Sequence, residues 1–129
     1  MPGYTLAPGA DARAVAAVLD GVEREAREAG VPPATVDRVV LVAGEAVANA
    51  VEHGEGVVTV RWVPAGSGGH LVVSEGGRGP GIGAVHDACL PESAAATRGR
   101  GLFLIQQLSD RVEVGPDGLG AWFARRSGE

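Results

Sequence analysis

The chain has 129 residues, 45% of them apolar and 21% charged, a balance that suits one globular domain and excludes both a disordered tail and two independent cores. Its formal charge of −5 argues against non-specific nucleic-acid binding, and its one cysteine, Cys89, excludes an internal disulfide and points to a reducing cytoplasm. All 11 basic residues are arginine; without lysine, neither a Walker-type phosphate loop nor Schiff-base chemistry is available.

Read in chain order, Met1-Pro2-Gly3-Tyr4 lacks the charged head and apolar stretch of a signal peptide, and no later apolar run reaches the length of a membrane span. Tyr4 to Leu6 reads as a short strand. Asp11 then caps a helix to about Ala29, with Val15, Val18, Leu19, Val22 and Ala26 at helical spacing and Glu23, Arg24, Arg27 and Glu28 facing away. Gly30 stops it, and Pro32-Pro33 starts a second helix that runs to His53 and ends at Gly54. Val57 to Val63 and Leu71 to Ser74 read as strands joined by a flexible Ala65-Gly66-Ser67-Gly68-Gly69 turn. After the irregular stretch Glu75 to Arg100, Leu102 to Leu108 reads as a short helix. Arg111 to Val114 and Leu119 to Arg126 read as strands around a Pro116-Asp117-Gly118 turn. This order predicts an α+β fold. It is a two-layer sandwich with a mixed, mostly antiparallel sheet and helices on one face, forming a single domain over 1–129 with about 4–126 structured.

Two regions of this pattern carry chemistry. A loop of roughly 25 residues is long for a compact domain, where such segments are functional lids or disordered. It opens with Glu75-Gly76-Gly77-Arg78-Gly79-Pro80-Gly81 and closes with Arg98-Gly99-Arg100-Gly101 at the start of the Leu102 helix. Free N–H groups at a helix start favour an anion, glycine lets a ligand approach the backbone, and Arg98 and Arg100 suit phosphate oxygens. A solvated glycine-rich surface loop is the competing reading from composition alone. In the second helix, Val36, Val40, Ala43, Val47 and Val51 form one core stripe. The opposite face carries Arg38, Leu41, Val42, Glu45, Asn49 and Glu52. Glu45 and Asn49, one turn apart, put a carboxylate beside a carboxamide on a partly apolar surface, able to orient a hydroxyl and to ligate Mg²⁺ through oxygen. His53, His70, His86 and Cys89 read as capping, packing or loop residues, and Trp62 and Trp122 as core or interface.

Together these features carry a resemblance. Gly44-Glu45-Ala46-Val47-Ala48-Asn49-Ala50-Val51-Glu52-His53-Gly54 resembles the N-box of the GHKL (Bergerat-fold) ATPase superfamily, in the form found in anti-sigma factor serine kinases. Glu75-Gly76-Gly77-Arg78-Gly79 stands where that family has its first glycine box, and Arg98-Gly99-Arg100-Gly101-Leu102 resembles the second. The resemblance implies ATP and Mg²⁺ as ligands, with Asn49 on the metal, Glu45 as general base, and residues 76–100 as the ATP lid. It implies nucleotide contacts from Asn49, Glu75, Gly77, Gly79, Arg98, Gly99, Arg100, Gly101 and Leu102. It also implies phosphorylation of a serine on a STAS-type anti-anti-sigma partner, binding of a sigma factor, and a cytoplasmic homodimer that acts on neither nucleic acid nor membrane.

Two departures fall on the adenine side. Glu75 stands where the family has aspartate, and Ala121 stands where it often has threonine or serine. They keep open a nucleotide-independent binding module on the same fold. A third reading, the catalytic domain of a histidine kinase, is disfavoured by the lack of a dimerisation helix pair or phospho-acceptor segment in this sequence.

Overall fold

The computed structural model describes residues 3–53, 56–75, 96–115 and 118–129, with backbone alone for 96–101. In chain order these form β1 (Tyr4–Leu6), α1 (Ala12–Glu28), α2 (Pro33–His53), β2 (Val58–Ala65), β3 (Gly68–Glu75), α3 (Ala96–Leu108), β4 (Arg111–Gly115) and β5 (Gly118–Phe123). The α+β sandwich is as expected, and among the described residues the sheet is antiparallel throughout instead of mixed. Its order is β1-β2-β3-β5-β4 and every neighbouring pair is antiparallel. The chain passes from β3 through α3 to β4, which would make β4 a parallel neighbour of β3. Instead β5 folds back from β4 and inserts between them, so both strands meet it in the antiparallel sense.

Alternation along the strands fixes which face the helices cover. Val58, Val60 and Trp62 of β2, Leu71 and Val73 of β3, and Leu119, Ala121 and Phe123 of β5 are all buried. Register brings them together, with Val60 opposite Val73, Trp62 opposite Leu71, and Leu71 opposite Ala121. The β2–β3 connection is tighter than the glycine-rich sequence implies. Gly66-Ser67 alone makes the turn, with Gly66 at φ +58°, and Gly68 and Gly69 belong to β3. The reason is steric: a Cβ on Gly68 would overlap the Phe123 carbonyl, and one on Gly69 would overlap the Trp62 ring. Strand β5 stops at Phe123, short of the expected Arg126, because the Ala124 N–H turns to the Asp110 carboxylate at 2.7 Å.

Helix α1 begins as expected, with the Asp11 carboxylate accepting the Ala14 N–H at 2.9 Å. Gly30 follows it at φ +86°. The Tyr4 hydroxyl donates to Glu25, which ties β1 to α1, and Gly21 leaves room for the tyrosine ring.

Helix α2 departs most from its expected amphipathic pattern. Arg38, Val42 and Asn49, expected on the face away from the core, are buried, whereas Val40 and Val51 of the expected stripe are only partly so. The helix packs against α1, α3 and the sheet at once. More than half of its circumference is therefore covered, and the covered arc centres on Val39, Ala46 and Ala50.

Arg38 locks this arrangement. Its Nε and one Nη donate to the Glu129 carboxylate at 2.9 Å, and its two Nη groups also donate to the Leu108 carbonyl at 2.8 Å and the Ala124 carbonyl at 2.7 Å. Thr35 Oγ1 donates to the same Glu129 carboxylate at 2.6 Å. The guanidinium of Arg38, then the Thr35 hydroxyl, hold the Glu129 carboxyl down from 4.5 to about 2. Burial opposes ionisation of Asp110, but the Ala124 N–H and Arg126 outweigh it and hold that carboxyl low as well. Arg38→Ala is expected to lower unfolding free energy by about 3 kcal/mol or more in urea titrations, because buried carbonyls lose their donor. The pH dependence has a definite sign. A depressed carboxyl contributes stability above its ordinary value of 4.5 and loses it as pH falls through about 2. Glu129→Gln should flatten that acid limb, as followed by thermal denaturation at stepped pH.

Candidate functional site

The site rests on how α2 and α3 lie together. Arg38, near the start of α2, holds the Leu108 carbonyl at the last residue of α3. Because the two helices pack side by side, α3 runs back along the later turns of α2, antiparallel to it. At 1.5 Å rise per residue, Asn49 lies about 16 Å beyond Arg38, level with residues 97–98 of α3. Glu45 lies about 10 Å beyond it, level with residue 101. Glu45, Asn49 and Arg38 share one side of α2, the side that Arg38 ties to the end of α3 at Leu108. Asn49 is buried and Glu45 half-buried.

The second glycine box does not stand in front of its helix. Helix α3 begins at Ala96, so the box occupies its first two turns. In α1 and α2 the fourth helical amide, that of Val15 and of Val36, already donates to the residue before the helix. By the same pattern the described amides of α3 without intrahelical partners are those of residues 96–98, which include Arg98, whereas Gly99, Arg100 and Gly101 donate within the helix. The anion-binding end is thus displaced by several residues from the position expected at Leu102. Leu102 itself is fully buried in the core, so only its backbone is left to meet a ligand.

Glu75 ends β3 on the covered face, opposite Val58, and is buried. Ala121 is fully buried too, but it pairs with Leu71, four residues earlier on β3. That spacing separates it from Glu75 by about 13 Å along the strands. The two substituted positions therefore do not lie side by side on the sheet. Gly77, Gly79, His86 and Cys89 lie outside the described residues, as do Gly54 and Pro116-Asp117.

A carboxamide oxygen, a carboxylate and the unpaired amides of a helix start form a donor set that fits a nucleotide with its magnesium ion. A model of the histidine kinase-like ATPase domain family matches residues 9–124. The chain belongs to this family. Among curated proteins, none matches it. Membership in the histidine kinase-like ATPase family implies ATP binding, typically with Mg²⁺, and accords with the GHKL resemblance of the N-box and glycine boxes. Among the described residues, no helix of this ATPase domain is long and apolar enough to cross a membrane.

Sequence reasoning missed Arg38, which sets the level of α3 against Glu45 and Asn49. It treated Trp62 and Trp122 alike, yet Trp62 is in the core while Trp122 stands on the opposite face of the sheet, stacked on His70. Strict alternation with Ala121 and Phe123 was the available signal.

The separation of Glu75 from Ala121 has a measurable consequence. In a double-mutant cycle on ATP affinity, Glu75→Asp and Ala121→Thr should show coupling below about 0.5 kcal/mol. Ala121→Thr should instead lower stability by about 1–3 kcal/mol, since it places a hydroxyl and extra volume in a filled core. Strong coupling in calorimetric titrations would show that both side chains reach one ligand.

Proposed function

We propose that this histidine kinase-like ATPase domain is an ATP-dependent regulatory protein of the anti-sigma factor serine kinase type, binding a sigma factor and phosphorylating a serine on a STAS-type anti-anti-sigma partner in the cytoplasm. The observation that carries the reading is the burial of Asn49, with Glu45 half-buried one turn away, on the side of α2 that Arg38 ties to α3. In this reading Asn49 holds Mg²⁺, which supplies charge neutralisation at the phosphates when bound. The α3 amides and arginines orient the phosphate oxygens. Glu45 accepts the proton of the serine hydroxyl as its oxygen takes the γ-phosphoryl group and ADP leaves. Homodimer formation and capture of a protein partner belong to the same proposal.

The second reading is a nucleotide-independent binding module on this fold. It is favoured by Glu75, whose extra methylene alters a buried position. Calorimetry with ATP separates the two. The kinase reading expects heat that depends on Mg²⁺ and a thermal shift at saturating nucleotide. No heat and no shift at millimolar ATP would leave the binding module.

The residue roles predict distinct losses. Glu45→Ala should abolish transfer to the serine while leaving ATP affinity within about threefold, because a general base acts mainly in the transition state. Asn49→Ala should weaken Mg²⁺-dependent ATP binding itself. Equal loss of affinity in both variants would refute this division.

A further inference from the structure

Arginines from two other parts of the chain close the C-terminal end of α3. The Ile105 carbonyl is met by the Ser109 amide at 3.0 Å. Those of Gln107 and Leu108 have no amide of their own helix to accept from. Arg126 Nη2 donates to the Gln107 carbonyl and to the Ser109 carbonyl that follows, at 3.2 Å each. Arg38 Nη1 donates to the Leu108 carbonyl at 2.8 Å. One guanidinium comes from α2 and the other from the segment after β5, and the dipole of a helix end favours both charges.

Both arginines share one anchor. Glu129 Oε2 accepts from Arg38 Nε and Oε1 from Arg38 Nη2, each at 2.9 Å. The same Oε1 accepts from the Arg126 backbone N–H at 2.9 Å and from the Thr35 hydroxyl at 2.6 Å. Asp110 gives a second support, accepting from Arg126 Nε at 3.0 Å and standing 3.5 Å from Arg38 Nη1. Glu129 therefore fixes the plane of the Arg38 fork and the stretch of backbone from which Arg126 reaches. Its own side chain and that of Arg38 are only 14% and 8% exposed, so water has little access to take over either contact.

These directional contacts matter because the rest of the hold on α3 is apolar. Leu102 and Ile105 are buried in the core, and the helix packs chiefly on α2. Apolar burial is non-directional and sets position along a helix axis less sharply than hydrogen bonds do. A shift of the last turn of a stiff helix moves its first turn by the same distance. That first turn, with its unpaired amides, lies about 18 Å from Leu108. We propose that Glu129 is a positioning residue for the nucleotide site: through Arg38 and Arg126 it sets where the amide-bearing start of α3 stands along α2. The proposal rests on the ATP binding that family membership implies, and it places a determinant of that binding at the opposite end of the helix.

Calorimetric titration of the whole chain with ATP and Mg²⁺ tests it, at a temperature where circular dichroism shows every variant folded. The variants are Glu129→Gly, Arg126→Ala and the two together. Tyr4→Phe, which removes the hydrogen bond between β1 and α1, reports a loss of stability alone. Glu129→Gly and Arg126→Ala should each weaken ATP binding about fivefold. The double change should weaken it by less than about tenfold, short of the product of the two, because both act on one helix end. Tyr4→Phe should leave the affinity within about twofold. Where Glu129→Gly does not fold, Glu129→Gln carries the same expectation, since its amide group sets a donor against the Arg38 donors. An affinity loss in the Glu129 variants no greater than that of Tyr4→Phe would overturn the positioning role, as would single effects that multiply in full. A wild type that binds ATP beside variants that bind it alike overturns this role alone, whereas a wild type that binds no ATP overturns the nucleotide reading and this role with it.

Discussion

A buried guanidinium must have its donors met, because an uncompensated charge in a packed interior is among the largest single costs a fold can carry. Arg38 meets this constraint by drawing together three parts of the chain far apart in sequence: the end of α3 through Leu108, the exit of β5 through Ala124, and the C-terminal turn through Glu129. Each contact is to a carbonyl or carboxylate whose position is set by a different element. The result is a fixed register between α2 and α3. The level of Glu45 and Asn49 against the first turns of α3 follows from that register and from helical rise alone.

The same constraint explains why α2 lacks a simple polar face. A helix wedged between two others and a sheet is covered over most of its circumference, so polar residues on its flank are enclosed rather than solvated. Asn49 is buried for this reason. Enclosure raises the strength of a polar contact to phosphate or magnesium oxygen chemistry compared with the same group in water. A catalytic reading of a histidine kinase-like ATPase domain thus draws on packing as much as on the identity of two side chains.

The two faces of the sheet differ in what they carry. The covered face carries the apolar core and, at the end of β3, Glu75. The open face carries His70, Trp122 and a row of opposite charges on either side of a glycine. An antiparallel sheet can leave one side to water.

Much was legible in the sequence, and for local reasons. Asp11 and Gly30 marked the ends of α1, Pro33 and His53 bounded α2, and period-two alternation found four of the strands, since caps, turns and faces depend on neighbours within a few residues. The N-box and glycine boxes identified the family because their residues are contiguous. Tertiary structure decided what depends on distant partners. It made the sheet antiparallel throughout by inserting β5 between β3 and β4. It buried Arg38 against carbonyls 70 and 86 residues away. It began α3 at Ala96 and set Ala121 beside Leu71 instead of Glu75. None of these outcomes is a property of a short window. Each is fixed by which surfaces meet once the chain is compact, where close packing and satisfied polar groups admit only one arrangement.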